Sequence, residues 1–215
     1  MNVLISDPDV FTREGIKHIL ESEADLNVVR EAANVDDTLD GLRDFRLDVC
    51  ILGISMDNHC GLRFVRDARK HAQHVPLLVL SQYHERDFAL RAIRAGAAGY
   101  LPKDCTEQQL CYAVRTAAQR RPYVSETMCE LLVESIVDVR SKRLHDSLSD
   151  TDLEIFCLTA EGIPVAKIAA LCKTSPAVIR ARKGRIMKKM CLQTDAELIE
   201  YAIKRKLIDH SFRCI

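Results

Sequence analysis

The chain has 215 residues, 47% of them apolar and 29% charged, so it can form one large domain or two small ones with packed cores. Its formal net charge is zero, but the charges are unevenly distributed: residues 148–215 contain 12 basic and 8 acidic residues, whereas residues 1–147 contain 19 basic and 23 acidic residues. This distribution predicts an acidic front part and a basic back part that faces nucleic acid. No apolar run approaches the roughly 18 residues that span a bilayer, which excludes a membrane-spanning helix.

The start of the chain and its cysteines both indicate a cytoplasmic protein. Residues 1–7, Met-Asn-Val-Leu-Ile-Ser-Asp, lack the basic region and the long apolar stretch of a signal peptide. The nine cysteines are odd in number and contain no C-x-x-C pair, so we expect most of them to be small core residues. Redox sensing stays an alternative, for which Cys191 and Cys214 are the best placed.

The front part alternates short apolar runs with amphipathic stretches of helical length. The runs at 49–52 and 76–80 are almost continuously apolar, as in parallel strands that are covered on both faces. Alternation at this spacing predicts right-handed crossovers and a flavodoxin-like (βα)5 domain over residues 1–121. We predict strands at Asn2–Ser6, Leu26–Ala32, Val49–Leu52, Pro76–Leu80 and Gly99–Leu101, and helices at Phe11–Ser22, Val35–Phe45, Gly61–His71, Glu85–Ala95 and Glu107–Ala118.

Residues 122–147 are predicted to connect two domains. An amphipathic helix capped by Ser125 runs to Val137, with Met128, Leu131, Leu132 and Ile136 on one side. The polar stretch Asp138–Ser147 is interpreted as a flexible linker.

Residues 148–215 show helical patterns and no strand. Ser149 precedes a helix that runs to Ala160, Pro164 starts a second helix through Leu171, and Asp195–Lys204 forms the last. Between them, Ser175 is the expected cap and Pro176 the first residue of a longer helix through Cys191. Val178, Ile179, Ile186, Met187 and Met190 are its expected buried residues.

The stretch from 173 to 189 contains seven basic residues and no acidic one. A solvated helix face normally mixes signs, because like charges three or four residues apart repel each other, so a stretch of one sign indicates a polyanionic partner. Short helices, a tight turn and a basic helix predict a helix-turn-helix whose second helix enters the major groove of double-stranded DNA. The predicted DNA-binding residues are Lys173, Ser175, Arg180, Arg182, Lys183, Arg185, Lys188 and Lys189.

This back part resembles the DNA-binding domain of the LuxR/FixJ/NarL class. The resemblance rests on Leu148-Ser149 with Glu154, Ala160-Glu161-Gly162, Ile168-Ala169, Ser175-x-x-Val178-Ile179 and Arg185-Ile186-Met187-x-Lys189-Met190. Family members usually show Thr-Val-Lys-Asn-His where this chain has Val178-Ile179-Arg180-Ala181-Arg182. Arg180 is placed to read guanine, whereas the side chains of Ala181 and Gly184 cannot hydrogen-bond to bases. We expect most of the other basic residues to hold phosphates.

Residues 1–120 resemble the receiver domain of response regulators, with Arg13-Glu14-Gly15 anchoring the alignment. The resemblance implies a magnesium-dependent site: two adjacent acids after the first strand, a phosphate-accepting aspartate after the third, Ser or Thr after the fourth and Lys after the fifth. The corresponding residues here are Asp7 and Pro8, Gly53, Ser81 and Lys103, with Tyr100 at the aromatic switch position.

A glycine has no oxygen to phosphorylate, so the resemblance predicts a degenerate, non-phosphorylatable receiver. Two of three carboxylates are missing, which leaves too little to hold magnesium. Asp9 or Asp57 could be suggested as a substitute acceptor, but an acceptor needs in-line geometry at the end of the strand. Lys103 has three open interpretations: a solvated residue, the anchor of an anion pocket, or a partner of Asp7 that freezes the cleft in one state.

The face formed by residues 89–96 and 110–118 contains small residues and arginines that suit a dimer surface, although a plain amphipathic helix explains them equally well. No glycine-rich phosphate loop or metal-ligand cluster is visible, and no motif supports His84 and Ser81 as a catalytic pair, so we expect neither enzymatic activity nor a cofactor. The sequence predicts a transcriptional regulator that forms homodimers and acts independently of aspartate phosphorylation. Its receiver would serve dimerisation or docking. The alternatives are a heterodimer with a phosphorylatable response regulator and a ligand-sensing receiver.

Overall fold

The structure is a computed structural model that describes residues 1–44, 46–54, 61–137 and 143–208. The chain divides into two compact units, Met1–Cys129 and Glu130–Ile215. No helix in the described ranges is long and apolar enough to cross a membrane.

The first unit is built on a five-stranded parallel sheet in the order β2-β1-β3-β4-β5. Val3, Ile5 and Ile51 point to the sheet face covered by the first and last helices of the unit, where they form a buried core. Leu4 and Leu52, which alternate with them, are also fully buried. Burial on both faces explains the continuous apolar runs and confirms the predicted α/β class. The elements are β1 Asn2–Ser6, α1 Val10–Glu21, β2 Asn27–Ala32, α2 Val35–Gly41, β3 Val49–Gly53, α3 Gly61–His71, β4 Leu77–Ser81, α4 Glu85–Ala95, β5 Gly99–Pro102 and α5 Glu107–Ala118.

Helix α2 is shorter than the sequence predicts. We expected it to reach Phe45, but it ends at Gly41, and Phe45 itself lies outside the described residues. Glycine is a weak helix former, and the chain tightens there, with the Asp44 amide donating to the Gly41 carbonyl at 3.0 Å.

Helix α6, Glu126–Val137, is capped by Ser125, which is hydrogen-bonded to Glu85 in the first unit. The Ser125 hydroxyl oxygen accepts the Met128 amide at 3.0 Å, as an N-cap does, and its proton is donated to the Glu85 carboxylate of α4. Burial raises the pKa of Glu85, and the hydrogen bond from Ser125 opposes that shift. Of the predicted apolar side, Met128 and Leu131 are buried, whereas Leu132 is 40% exposed.

The second unit contains a one-turn 3-10 helix, Leu144–Ser147, followed by α7 Asp150–Ala160, α8 Val165–Leu171, α9 Pro176–Lys189 and α10 Asp195–Lys204. Serine or threonine caps three of these helices. Ser149 accepts the Asp152 amide, Ser175 accepts the Val178 amide and Thr194 accepts the Glu197 amide. The predicted caps at Ser149 and Ser175 are therefore confirmed.

The predicted flexible linker is wrong for residues 144–147, which form the 3-10 helix with Arg143 as its N-cap. Residues 138–142 lie outside the described ranges. The reason is His145, which is 1% exposed and lies 2.9 Å from the Tyr201 hydroxyl of α10. Its ring also meets that of Tyr201 edge-on at 5.8 Å between centroids. Burial of an aromatic side chain against a helix explains why a stretch of polar sequence becomes ordered.

The described cysteines agree only in part with the expectation of small core residues. Cys50, Cys111 and Cys157 are buried, and Cys105 packs against the core of the first unit. Cys172 is half-buried, whereas Cys129 and Cys191 are exposed. Cys60 and Cys214 lie outside the described residues. Cys191 follows the end of α9 with φ at +55°, where its side chain has no core to enter.

Replacing Ser125 by alanine tests the anchor of α6. We expect the S125A variant to lose about 1–2 kcal/mol of stability, because it removes a helix cap and a hydrogen bond to a carboxylate. Hydrogen exchange at the Met128 amide should become faster. Glu85→Gln is the matched control, because the amide oxygen of glutamine can still accept the hydrogen bond from Ser125. If the Met128 amide exchanges as slowly in S125A as in the wild type, the cap and its hydrogen bond do not hold the start of α6.

The same pair predicts a pH dependence. The folded pKa of Glu85 lies above the ordinary value of 4.5, so folding favours the protonated carboxyl. The stability that this gives is fully present below about pH 4.5 and is lost as pH rises through the folded pKa. The S125A substitution removes the opposing hydrogen bond and should raise the folded pKa of Glu85 further. The stability should then decrease over a wider pH range. Denaturation series at several pH values measure it.

Candidate functional sites

The predicted receiver residues meet at one edge of the sheet. Parallel strands end on the same side, and the carboxyl ends of β1, β3, β4 and β5 bring Asp7, Gly53, Ser81 and Lys103 to a common cleft. Asp7, Gly53 and Ser81 are buried, whereas Pro8 and Lys103 are half-buried.

An ion pair between Lys103 and Asp7 spans this cleft. The Lys103 Nζ lies 2.8 Å from Asp7 Oδ2, and the Asp7 side chain is only 2% exposed. The other carboxylate oxygen, Oδ1, accepts the Asp9 amide at 3.0 Å. The Lys103 ammonium also reaches the Thr12 hydroxyl at 3.4 Å. Of the three interpretations of Lys103, the structure therefore shows the pair with Asp7.

Gly53 makes room for that pair. A Cβ atom built on residue 53 would lie 2.3 Å from Asp7 Oδ2 and 2.9 Å from its Cγ. These distances are below van der Waals contact, so the Asp7 carboxylate occupies space that any side chain at position 53 would need. The glycine and the closed ion pair are parts of one arrangement.

Ser81 and Tyr100 are joined through a residue that sequence reasoning missed. The Tyr100 hydroxyl donates to the Tyr83 carbonyl at 2.6 Å, and the Tyr83 amide donates to Ser81 Oγ at 3.0 Å. The Tyr83 ring stacks on Phe88 of α4, with centroids 4.6 Å apart. The loop after β4 is thus tied to both β5 and α4.

Of the two alternative acceptors, the structure describes Asp9, whose carboxylate is occupied by hydrogen bonds at the start of α1. Asp9 is the N-cap of α1: it accepts the Phe11 and Thr12 amides and the Thr12 hydroxyl, and the hydrogen bond from Thr12 lowers its pKa. Asp57 lies outside the described residues.

The described residues do not fit a divalent cation. Magnesium needs several oxygen ligands in near-octahedral order. The one buried carboxylate in the described part of the cleft, that of Asp7, already faces the Lys103 ammonium and the Asp9 amide. Among the residues that the structure describes, no group of three or more His, Cys, Asp or Glu side chains could hold a metal ion.

The proposed dimer face is only partly available. Ala89 and Ala92 of α4 are fully buried. Exposed positions on α4 and α5 include Arg94 and Tyr112, the latter 63% exposed.

Helices α8 and α9 form the predicted helix-turn-helix. The turn between them requires Lys173 at φ +48°, a left-handed conformation, and the Thr174 amide donates to the Ala169 carbonyl across it at 2.9 Å. Ile179 and Ile186 of α9 are buried, and Met190 just beyond its end is fully buried. Val178, predicted to be buried, is 42% exposed, because it lies about 100° around the helix axis from the buried Ile179.

The basic residues of α9 fall into two groups. Arg180, Arg185 and Lys188 are exposed and make no ion pair within the described part of the chain. Arg182 pairs with Asp152 at 3.0 Å and Lys183 pairs with Asp195 at 2.7 Å, whereas the Lys189 ammonium donates to the Ser147 carbonyl. The acidic partners on α7 and α10 were not foreseen, because their sequence distance from α9 gives no local signal.

Comparison with known proteins agrees with this architecture. Residues 3–115 match the response regulator receiver domain, and residues 146–202 match the bacterial regulatory proteins of the luxR family. The oxygen regulatory protein NreC of Staphylococcus haemolyticus is 31% identical, across 97% of this chain and 100% of that protein. The chain belongs to the NarL/LuxR family of response regulators.

This response regulator is therefore a DNA-binding protein of two-component type. NreC of Staphylococcus carnosus is 30% identical over the same share of the chain. A response regulator ChrA of a heme-sensing two-component system is 27% identical, with a TM-score of 0.51, over 96% of this chain and 98% of that one. RcsB of Salmonella enterica serovar Typhimurium, bound to the rprA promoter, has a TM-score of 0.72 at 24% identity, covering 94% of this chain and 97% of that one, and supports the fold alone.

Replacing Gly53 by alanine tests how tightly the ion pair fills the cleft of this response regulator. We expect a loss of about 1–3 kcal/mol in stability, because the new Cβ must displace the Asp7 carboxylate from Lys103. In an Asp7→Ala background the same change should cost less than about 1 kcal/mol, since the crowded atoms are gone. Chemical denaturation of the four proteins measures the coupling.

Gly15→Ala is the matched control for the G53A variant. Gly15 is an exposed position in α1 where an added Cβ meets nothing within 4 Å. Alanine there should stabilise the protein by about 0.5–1 kcal/mol through helix propensity. Equal costs for Gly53→Ala with and without Asp7 would contradict the crowding argument.

Proposed function

We propose that this response regulator controls transcription by binding double-stranded DNA without phosphorylation of an aspartate, and that its receiver serves dimerisation or docking. The observation that carries the proposal is the Asp7–Lys103 ion pair, closed over the glycine at the acceptor position. Residues 1–121 would form the receiver, 122–147 the connection and 148–215 the DNA-binding domain of a cytoplasmic protein.

The chemistry of the cleft supports this proposal. In phosphoryl transfer, an ammonium group stabilises the negative charge that builds up on the transferred oxygens. Here the Lys103 ammonium is already neutralised by Asp7, 2.8 Å away, and Gly53 offers no side-chain oxygen that a phosphoryl group could bond to. Breaking this pair by removing the Lys103 ammonium would leave the Asp7 carboxylate buried and unpaired, which would lower the free energy of unfolding by about 3–5 kcal/mol.

The same ion pair argues against the ligand-sensing alternative. An anion that bound Lys103 would have to separate it from Asp7 and would then lie next to a buried carboxylate of the same sign. The cleft therefore favours one fixed state, and control passes to protein abundance, dimerisation or a partner. Homodimers of this fold would occupy paired half-sites about one helical turn apart.

The first test is sequencing of genomic DNA fragments retained by the purified, unmodified protein at physiological salt. We expect enrichment of paired half-sites. Weak, sequence-blind retention that disappears with added salt would contradict the proposal and direct attention to a heterodimer with a phosphorylatable response regulator. Repeating the experiment with such a relative added would identify that second case.

A phosphodonor should leave the protein unchanged. After incubation with acetyl phosphate and magnesium, intact-mass spectrometry is expected to detect no added phosphoryl group, because the described cleft lacks both the acceptor and the cation ligands. Affinity for the enriched DNA should not change either. A response regulator with an intact aspartate serves as the reaction control, and a stable phosphoryl adduct on this chain would overturn the proposal.

A further inference from the structure

We propose that the basic helix α9 is divided into a DNA-facing set, Arg180, Arg185 and Lys188, and a domain-facing set, Arg182, Lys183 and Lys189, so that base reading falls on Arg180 alone among the charged residues. The inference rests on DNA binding through α9. It holds whether or not binding is independent of phosphorylation.

Helical spacing places Arg182 and Lys183 toward the protein interior. Each lies three or four residues from both Ile179 and Ile186, and residues at these spacings share one face of a helix. Both isoleucines are buried, at 1% and 2% exposure. The two basic residues are accordingly half-buried, whereas Arg180, Arg185 and Lys188 are exposed.

The contacts of the domain-facing set join α9 to its own unit. Arg182 Nη1 donates to Asp152 Oδ1 of α7 at 3.0 Å, and Lys183 Nζ donates to Asp195 Oδ2 of α10 at 2.7 Å. Lys189 Nζ donates to the carbonyl of Ser147, just before α7. Exposed ion pairs are individually weak, so the orientation of these side chains is set mainly by their positions beside the buried isoleucines.

The opposite face of α9 carries few groups that can recognise a base. Ala177, Ala181, Gly184 and Lys188 follow one another at spacings of four, three and four residues, and all four are exposed. A Cβ atom on Gly184 would meet nothing within 4 Å, so the packing of the unit does not require a glycine there. A face this smooth lets the helix backbone approach the floor of the groove.

Arg180 lies in the first half of α9, the part of a recognition helix that contacts base edges. Its guanidinium can bind guanine O6 and N7 in a bidentate way, which an ammonium cannot do. Arg185 and Lys188 lie further along the helix, where we assign them to phosphates. The exposed Val178 adds only an apolar contact, of the kind that suits a thymine methyl group.

The salt dependence of binding separates the two sets. The probe is one random-sequence 30-base-pair duplex, measured with full-length protein from low to physiological salt. Arg185→Gln and Lys188→Gln should each reduce the slope of log affinity against log salt by about 0.9, the value for one phosphate contact. Arg182→Gln and Lys183→Gln should leave the slope within error of the wild type. Equal losses in both pairs would overturn the division.

Base reading is tested by Arg180→Lys, which keeps the charge. Selection from a library of random duplexes should show that R180K loses the guanine preference of the wild type, while its salt slope is unchanged. If R180K keeps the wild-type base preference, Arg180 is not the reader. If the wild-type protein binds specifically only after treatment with a phosphodonor, the proposed function is wrong. The division of α9 is unaffected by that result, because the salt slopes are compared for nonspecific binding.

Gly184→Lys tests the DNA-facing side of α9 through a gain in DNA binding. The variant should fold, since the position is open, and should increase the slope by about 0.9 by adding a phosphate contact. An unchanged slope in a folded G184K variant would show that this face of α9 does not lie against DNA.

Discussion

The receiver cleft depends on the rule that a buried carboxylate must be neutralised. Asp7 lies at the end of β1 with 2% of its side chain exposed, where an unpaired charge would be strongly unfavourable. Lys103 supplies the opposite charge from beyond β5, across the ends of the two strands that separate them. Because no side chain stands at Gly53, the two groups meet directly, and Lys103 balances the charge of the Asp7 carboxylate.

The second unit follows a different principle, in which local capping signals start the helices and buried apolar residues orient them. Serine and threonine caps begin α7, α9 and α10. Buried isoleucines decide which side of α9 faces the core, and the acids of α7 and α10 then engage the basic residues beside that core. Net charge alone therefore overstates how many of the cations are available to DNA.

Much of the fold could be predicted from the sequence because its signals are local. Continuous apolar runs located β3 and β4, and the Ser175-Pro176 start signal located α9. The misses concern contacts between distant residues: His145 is ordered by Tyr201, and Arg182 is turned toward Asp152. In the cleft, the sequence predicted which residues follow the strand ends. Only the structure shows that Lys103 pairs with Asp7 and that Tyr83 links Ser81 to Tyr100 through hydrogen bonds.

The 2.3 Å between Asp7 Oδ2 and a Cβ atom on residue 53 also limits what this cleft can accept at that position. Under the proposed function, an aspartate in place of Gly53 would force its side chain into the space of a paired carboxylate and place two like charges together. A working phosphate acceptor would also require Asp7 to change its rotamer and a further cation ligand to be present. One substitution at position 53 is therefore not enough to make the cleft phosphorylatable.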